Sequence, residues 1–355
     1  MVSAPSGGIR GVRSAGARRR AAAAIDAAPR AAGACRASTR RVNQIHLGVS
    51  LSAGNATWSE LRDGALLAES LGYDSVWSPD HFLTSAAAPD GPYLEAWQIL
   101  PAWAALTRRV RLGPLVTPID FRHPAILAKM AATLDHISDG RALLGLGAGW
   151  YEQEYTQFGL HYGPPAERLG RLAETARICR ALFEQKRTTF RGRYYELRNA
   201  LAEPKPLQQP RLPILIGADG DHALSVAGRH ADWWNGFGTP DDVRRKLGLI
   251  RSAAEKAGRS FAEITPSVTF RPVVVRDRPA DIDAELQRVA QRHRLPKPDT
   301  QWMVAGSARE VASRLRDYVA LGVRAFIIQL RVPFDRESME RIVREVKPQL
   351  ESTAP

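Results

Sequence analysis

Residues 110–150, VRLGPLVTPIDFRHPAILAKMAATLDHISDGRALLGLGAGW, constrain the fold more than any other stretch. VRLGPLVT is a short Val/Leu-rich apolar run whose polar residues begin where it stops, which marks a buried strand with a functional end. Pro124 stands at a helix start, Ala125 to Ile137 carries apolar residues at helical spacing, and Asp139-Gly140 closes the helix before Ala142 to Leu146 turns apolar again. A helix between two strands makes the unit βαβ and its strands parallel.

The same plan recurs along the chain. Strands are expected at Gln44–Leu51, Ser75–Ser78, Ile214–Gly217, Trp233–Phe237, Pro266–Val275 and Ala325–Leu330. Helices are expected at Thr57–Leu71, Glu95–Leu106, Ala166–Phe183, His222–His230, Asp241–Ala257, Ala308–Leu321 and Glu337–Leu350. TTF and RYYEL around Gly192 suggest a small hairpin outside the repeat, and Arg276 to Trp302 reads as an insertion with one helix, Ile282 to His293. About eight strand–helix units over roughly 310 residues have the size and order of a single α/β (β/α)8 TIM barrel with insertion segments. A doubly wound open sheet is the alternative from the same pattern.

The formal charge of +13 would invite a nucleic-acid partner if it were spread over the fold. It is not. Residues 1–41 hold nine Arg and one acid, Asp26, or +8, which leaves 41 basic against 36 acidic side chains, or +5, for residues 42–355. The Ala/Arg/Gly/Ser segment 1–41 has almost nothing to bury and is expected to be a disordered extension, with the barrel at 42–355. Its run AAAAIDAAPR, interrupted by Asp26 and Pro29, would make a poor export-signal core, with a twin-arginine or organelle address as the weaker alternative, and no aromatics lie among its Arg residues to stack on bases. No apolar run approaches a membrane span of roughly 18 residues. Two cysteines, Cys35 and Cys179, make no disulfide framework, so a reducing cytoplasm is the expected location, with neither nucleic acid nor membrane as partner.

In a barrel the C-terminal strand ends form the active face. They carry Asp80-His81, Leu115-Val116-Thr117, Gly147-Ala148-Gly149-Trp150 and Gly217-Ala218-Asp219-Gly220. His81 suits a proton carrier or a polar contact, and equally a capped, satisfied histidine. The Gly147–Gly149 turn leaves room for a flat ring, although such a turn is more often only tight. Gly217–Gly220, between strand and helix, suits a phosphate held by free N–H groups, with the objection that Asp219 would repel it unless it points away. Met130 and Trp233-Trp234 read as core. No H-x-x-x-H, C-x-x-C or G-x-S-x-G spacing supports a metal or a nucleophilic triad.

SVWSPDHF, LGPLVTPIDFRHPAILAKMAATLDHISDGR, LGLGAGW, GRYYEL and LIGADGDHALSVAGRHADWWN, in this order, resemble the luciferase-like monooxygenase family. More closely they are similar to its branch of oxidoreductases that use the deazaflavin coenzyme F-420 (F420). The resemblance spans Val42 to about Leu350 and implies a (β/α)8 barrel with an insertion. It implies that Asp80 and His81 contact the deazaflavin ring, with His81 as the catalytic residue on the substrate side. Leu115-Val116 matches a non-prolyl cis peptide behind the ring, with Thr117 adjoining. Ala148 and Gly149 match positions beside the ring, and Gly217, Ala218, Asp219 and Gly220 match the phosphate loop. Two departures stand out: Trp150 occupies the place of an acidic residue that serves proton transfer in the sugar-phosphate branch, and His123 replaces an Asn. The expected activity is hydride transfer between coenzyme F-420 and a small organic substrate. The alternatives are an FMN-dependent monooxygenase of the same fold and a non-enzymatic flavin-binding barrel. A homodimer is the assembly left open.

Overall fold

In the computed structural model, residues 44–84 and 90–352 are described. The expectation of a disordered segment at 1–41 lies outside them. The body from Arg41 to Pro355 is one compact unit.

Its strands and helices alternate: β1 (His46–Leu51), α1 (Trp58–Leu71), β2 (Ser75–Ser78), α2 (Ala96–Leu106), β3 (Arg111–Pro114), β4 (Thr117–Pro118), α3 (Pro124–Ile137) and β5 (Leu144–Gly147). They continue through α4 (Glu152–Gln157), α5 (Pro165–Glu184), the pair β6 (Thr188–Arg191) and β7 (Glu196–Ala200), β8 (Ile214–Gly217), α6 (Asp221–His230), β9 (Trp233–Gly236) and α7 (Pro240–Lys256). The last part holds β10 (Thr265–Phe270), β11 (Val273–Val275), α8 (Pro279–Arg292), β12 (Val304–Gly306), α9 (Ala308–Ala320), β13 (Ala325–Leu330), α10 (Arg336–Arg341) and α11 (Lys347–Glu351). Local chemistry sets these ends. Thr57 and Glu60 form a capping box at the start of α1, which stops where Gly72 turns left-handed (φ 96°). Thr239 with Asp242 and Ser307 with Glu310 start α7 and α9 in the same way.

All pairing in the main sheet is parallel, in the order β3-β2-β1-β13-β10-β9-β8-β5-β4. The two edges belong to one interrupted strand. Leu112 bridges Ala142 ahead of β5, and Thr117 pairs with Leu146 within it, so β3 and β4 together close an eight-stranded barrel. Trp77, Leu143, Leu215, Trp233, Ala325 and Ile327 fill its interior, and Leu115 and Val116 pack on that plug. The helices bury their apolar faces on the outside of the strands. This is the expected barrel, not the open sheet.

Two strands are divided where the sequence suggested continuity. VRLGPLVT breaks at the cis Leu115–Val116 bond, and the stretch 266–275 breaks at the cis Arg271–Pro272 bond. Pro272 has no N–H for the ladder, and beyond it the chain leaves the barrel as β11, which pairs with β12 in a separate two-stranded sheet. β6 and β7 form the expected antiparallel hairpin outside the barrel.

Candidate active site

The C-terminal barrel end gathers every sequence-predicted site residue. Asp80 and His81 follow β2, Leu115 to Thr117 span the break between β3 and β4, Ala148 and Gly149 follow β5, and Gly217 to Gly220 run from β8 into α6.

Asp80 is fully buried, and its carboxylate accepts from Thr117 Oγ1 at 2.8 Å and from two nitrogens of Arg122 at 2.6 and 3.3 Å. Burial pushes its carboxyl above the ordinary range, and Arg122 and Thr117 pull it back. Arg122 also pairs with Glu95, and Trp97 Nε1 donates to Thr117 Oγ1 at 2.9 Å. Asp80 is thus the centre of a closed network with no free edge.

His81 is different. Its Nδ1 lies 2.9 Å from Glu154 Oε2, and the buried Glu154 also accepts the backbone N–H groups of Phe82 (2.6 Å) and Leu83 (3.0 Å) through Oε1. A carboxylate can only accept, so the proton of the neutral ring sits on Nδ1 and Nε2 is left as the acceptor. The ring lies edge-on to Trp150 and Tyr93, with centroids at 5.7 and 6.2 Å, and Trp150 stacks on Tyr151. Together these rings wall a cleft of about 140 Å³, whose other side is formed by Arg271, Gln329 and Arg331. Of the strand-end residues singled out in the sequence, His81 and Trp150 line this cleft. Trp150 is 70% exposed, a large flat surface at its rim.

The glycines make the barrel mouth tight. A Cβ on Gly147 would strike Val116 Cγ2 at 2.5 Å, and one on Gly217 would meet Val116 at 3.2 Å, so Val116 occupies the space their missing side chains leave. Gly149 has φ 76°, and a Cβ there would collide with the Tyr155 hydroxyl. Arg168 donates to the carbonyls of Ala148 and Gly149 and fixes that turn.

At Gly217–Gly220 the objection raised by Asp219 has a structural answer. Its Oδ1 is tied to Lys246 Nζ and the Phe237 N–H, across to the loop after β9, so it does not cap α6. Gly220 is the N-cap of α6, no side chain bonds the first-turn N–H groups, and the space where its Cβ would stand is open. Trp234 is buried and donates to the Ala218 carbonyl at 2.9 Å, which makes it core that holds this loop. Met130 likewise packs against the core. His123 is an exposed cap whose Nδ1 accepts from Ala125 N at 3.2 Å.

Sequence reasoning missed Glu154, Arg122 and the cleft cations. Glu154 sits on α4, six residues long and too short to show a helical period. Among the described residues no group of side chains is arranged to hold a metal ion.

Comparison with known proteins places these features in context. The profile of the luciferase-like monooxygenase family matches residues 42–303. The chain is 32% identical over 303 residues to an F420-dependent glucose-6-phosphate dehydrogenase of Kineococcus radiotolerans, covering 78% of this chain and 89% of that protein. A protein of the same name from Amycolatopsis mediterranei is 28% identical over 80% of this chain and 92% of its own. Among solved structures, an F420-dependent secondary alcohol dehydrogenase in complex with an F420-acetone adduct superposes with a TM-score of 0.73 at 20% identity, covering 86% of this chain and 99% of its own. The monooxygenase RslO1 of Streptomyces bottropensis superposes with a TM-score of 0.70 at 22% identity, covering 86% and 98%.

Proposed function

The chain belongs to the luciferase-like monooxygenase family, and on that premise we propose that His81 serves the active site of an oxidoreductase that moves a hydride between coenzyme F420 and a small organic substrate. The observation that carries the cofactor is the likeness to F420-dependent relatives over nearly their whole length. The barrel alone does not choose, because F420-dependent and monooxygenase structures superpose on it equally well.

The residues present fit such a group. The uncapped first turn of α6 behind Gly217 to Gly220 offers N–H groups to a phosphate, with Asp219 tied to Lys246 and the first-turn Asp221 paired with Arg245. Leu115 and Val116 form a ledge on the barrel plug that can back a flat ring, and the turn at Ala148 and Gly149, fixed by Arg168, would adjoin its edge. When bound, coenzyme F420 supplies the carbon that carries the hydride. His81, oriented by Glu154, presents Nε2 to the cleft, where it holds the proton that leaves or joins a substrate oxygen. Asp80 acts through Arg122 and Thr117, fixing the turn on which His81 stands.

No helix among the described residues is long and apolar enough to cross a membrane. A cytoplasmic location and a homodimer are part of the same proposal. Buried, unpaired Cys179 suits a reducing compartment, and the exposed Leu106, Ile126 and Ile137 on α2 and α3 give a second subunit an apolar surface to cover.

Titration of purified protein with coenzyme F420 and with FMN, followed by turnover with oxygen excluded, tests the function. Tight F420 binding and oxygen-independent turnover are expected. FMN binding with oxygen-dependent turnover and no binding of F420 would overturn the assignment.

A further inference from the structure

Arg271, Gln329 and Arg331 line both the His81 cleft and a second cavity of about 60 Å³ beneath α8. The second cavity is walled by Val274, Leu286, Val289 and Leu330. These residues stand at a junction between a polar cleft and an apolar pouch.

The charge at this junction is unbalanced. Arg331 pairs with Asp299 at 3.3 Å. Arg271 has no ion pair among the described residues: one of its terminal nitrogens donates to Gln301 Oε1 at 2.9 Å, its guanidinium lies over the Phe237 ring, and its Nε is buried without an acceptor. Two cations therefore face one carboxylate. Glu285 and Asp335 on the far wall do not correct this, because Arg288 and Arg276 already hold them. His293, on the cleft side, is pushed down chiefly by burial, and its ring nitrogens are already engaged by the Val332 carbonyl at 2.6 Å and by Asn55 at 3.4 Å. A buried donor without a partner is destabilising, more so when charged, until an acceptor arrives.

We propose that the substrate is a small organic acid whose carboxylate accepts hydrogen bonds from Arg271 and Arg331 and whose apolar part occupies the pouch beneath α8. This deepens the oxidoreductase assignment and rests on it. Arg271, which has no carboxylate partner of its own among the described residues, suits a monoanion, and a guanidinium fork matches the two oxygens of a carboxylate. The pouch walls offer few partners to the hydroxyl groups of a sugar phosphate, whose burial there would go uncompensated. Its volume admits roughly four water-sized groups, which selects a short chain.

The probes are hexanoate, hexanamide and hexan-1-ol, with glucose 6-phosphate as the polar dianion, titrated calorimetrically into the protein with and without F420. Hexanoate is expected to bind at least tenfold tighter than the amide, the alcohol and the sugar phosphate. Arg271→Gln, and independently Arg331→Gln, should each remove at least tenfold of that affinity while leaving the F420 dissociation constant unchanged. Leu286→Trp, which fills the pouch, should weaken hexanoate and spare acetate. Hexanoate binding no tighter than hexan-1-ol, or unchanged in both arginine variants, overturns the proposal. The cofactor assignment is judged by the F420 titration alone, so failure there with acid binding intact separates the two.

Discussion

His81 and Glu154 form the smallest unit on which the proposed chemistry rests. Removing the imidazole by His81→Ala should lower turnover by about 10²–10⁴-fold, the usual size of general acid–base effects, while changing F420 affinity little. Steady-state rates and a direct titration of the variant check both halves, and unaltered turnover would reduce His81 to a structural contact. Glu154→Gln keeps an oxygen for Phe82 and Leu83 but offers Nδ1 an amide in place of a carboxylate. Turnover should fall, and nitrogen NMR of the ring should show its proton redistributed between Nδ1 and Nε2. An unchanged ring spectrum would mean that Glu154 does not set the tautomer. His81 was legible in the sequence because strand ends mark it. Its partner was not, because the two lie 73 residues apart and no spacing rule connects a strand-end histidine with a glutamate on a single short turn. The same holds for Asp80 and Arg122, brought together only by the adjacency of β2 with the strand that leads into Arg122.

At the scale of elements, the turns after β5 and β8 carry different demands although both are glycine-rich. Gly149 is required by the protein itself. Its left-handed backbone and the Tyr155 hydroxyl both oppose a side chain, so Gly149→Ala should destabilise by about 1–3 kcal/mol, and Tyr155→Phe in the same chain should recover only the steric part. Urea melts of the single and double variants measure this, and full recovery would show that the backbone is unstrained. Gly220 meets no neighbour, but it is the N-cap of α6, where glycine is preferred to valine, so Gly220→Val should cost no more than about 1 kcal/mol in the melt. It should nonetheless weaken F420 while sparing a deazaflavin that lacks the phosphate. Equal losses for both forms would remove the phosphate from this turn. The alternation of strands and helices was legible because periodicity and caps are local properties. The division of 266–275 was not, because the run TPSVTFRPVVV is apolar on both sides of Pro272, and only pairing shows that its halves belong to different sheets.

For the whole molecule, two buried groups give stability opposing dependences on pH. Burial pushes the Asp120 carboxyl up to about 6, so the native state holds a proton that the unfolded chain has lost; that contribution is complete below the unfolded value near 3.8 and disappears as pH rises through 6. Burial, reinforced by Arg229, Arg177, Arg259 and Arg180, pushes His230 down to about 4, so its contribution is complete above 6.5 and disappears as pH falls toward 4. The wild type should therefore vary less between pH 4.5 and 7 than either variant. Asp120→Asn should gain stability at pH 7 and nothing at pH 3.5, and His230→Gln should gain at pH 4.5 and nothing at pH 7.5. Parallel curves for wild type and variants would show that neither group is coupled to folding. The closure of the barrel has its own consequence. Near their beginnings β3 and β5 are joined by Leu112 N to Arg141 O (3.1 Å) and Leu143 N to Leu112 O (2.9 Å), where the carbonyl of Leu143 fills the place of a Gly113 side chain. By contrast, β1 and β13 are matched over six residues. Deuterium should therefore enter the amides of Leu112 and Leu143 well before those of β1 and β13, since so short a ladder can part without unfolding the rest. The cylinder has a zip, and it runs beneath the ledge formed by Leu115 and Val116; a ring seated on that ledge would hold it shut, so cofactor binding should slow exchange along this seam more than anywhere else in the barrel wall.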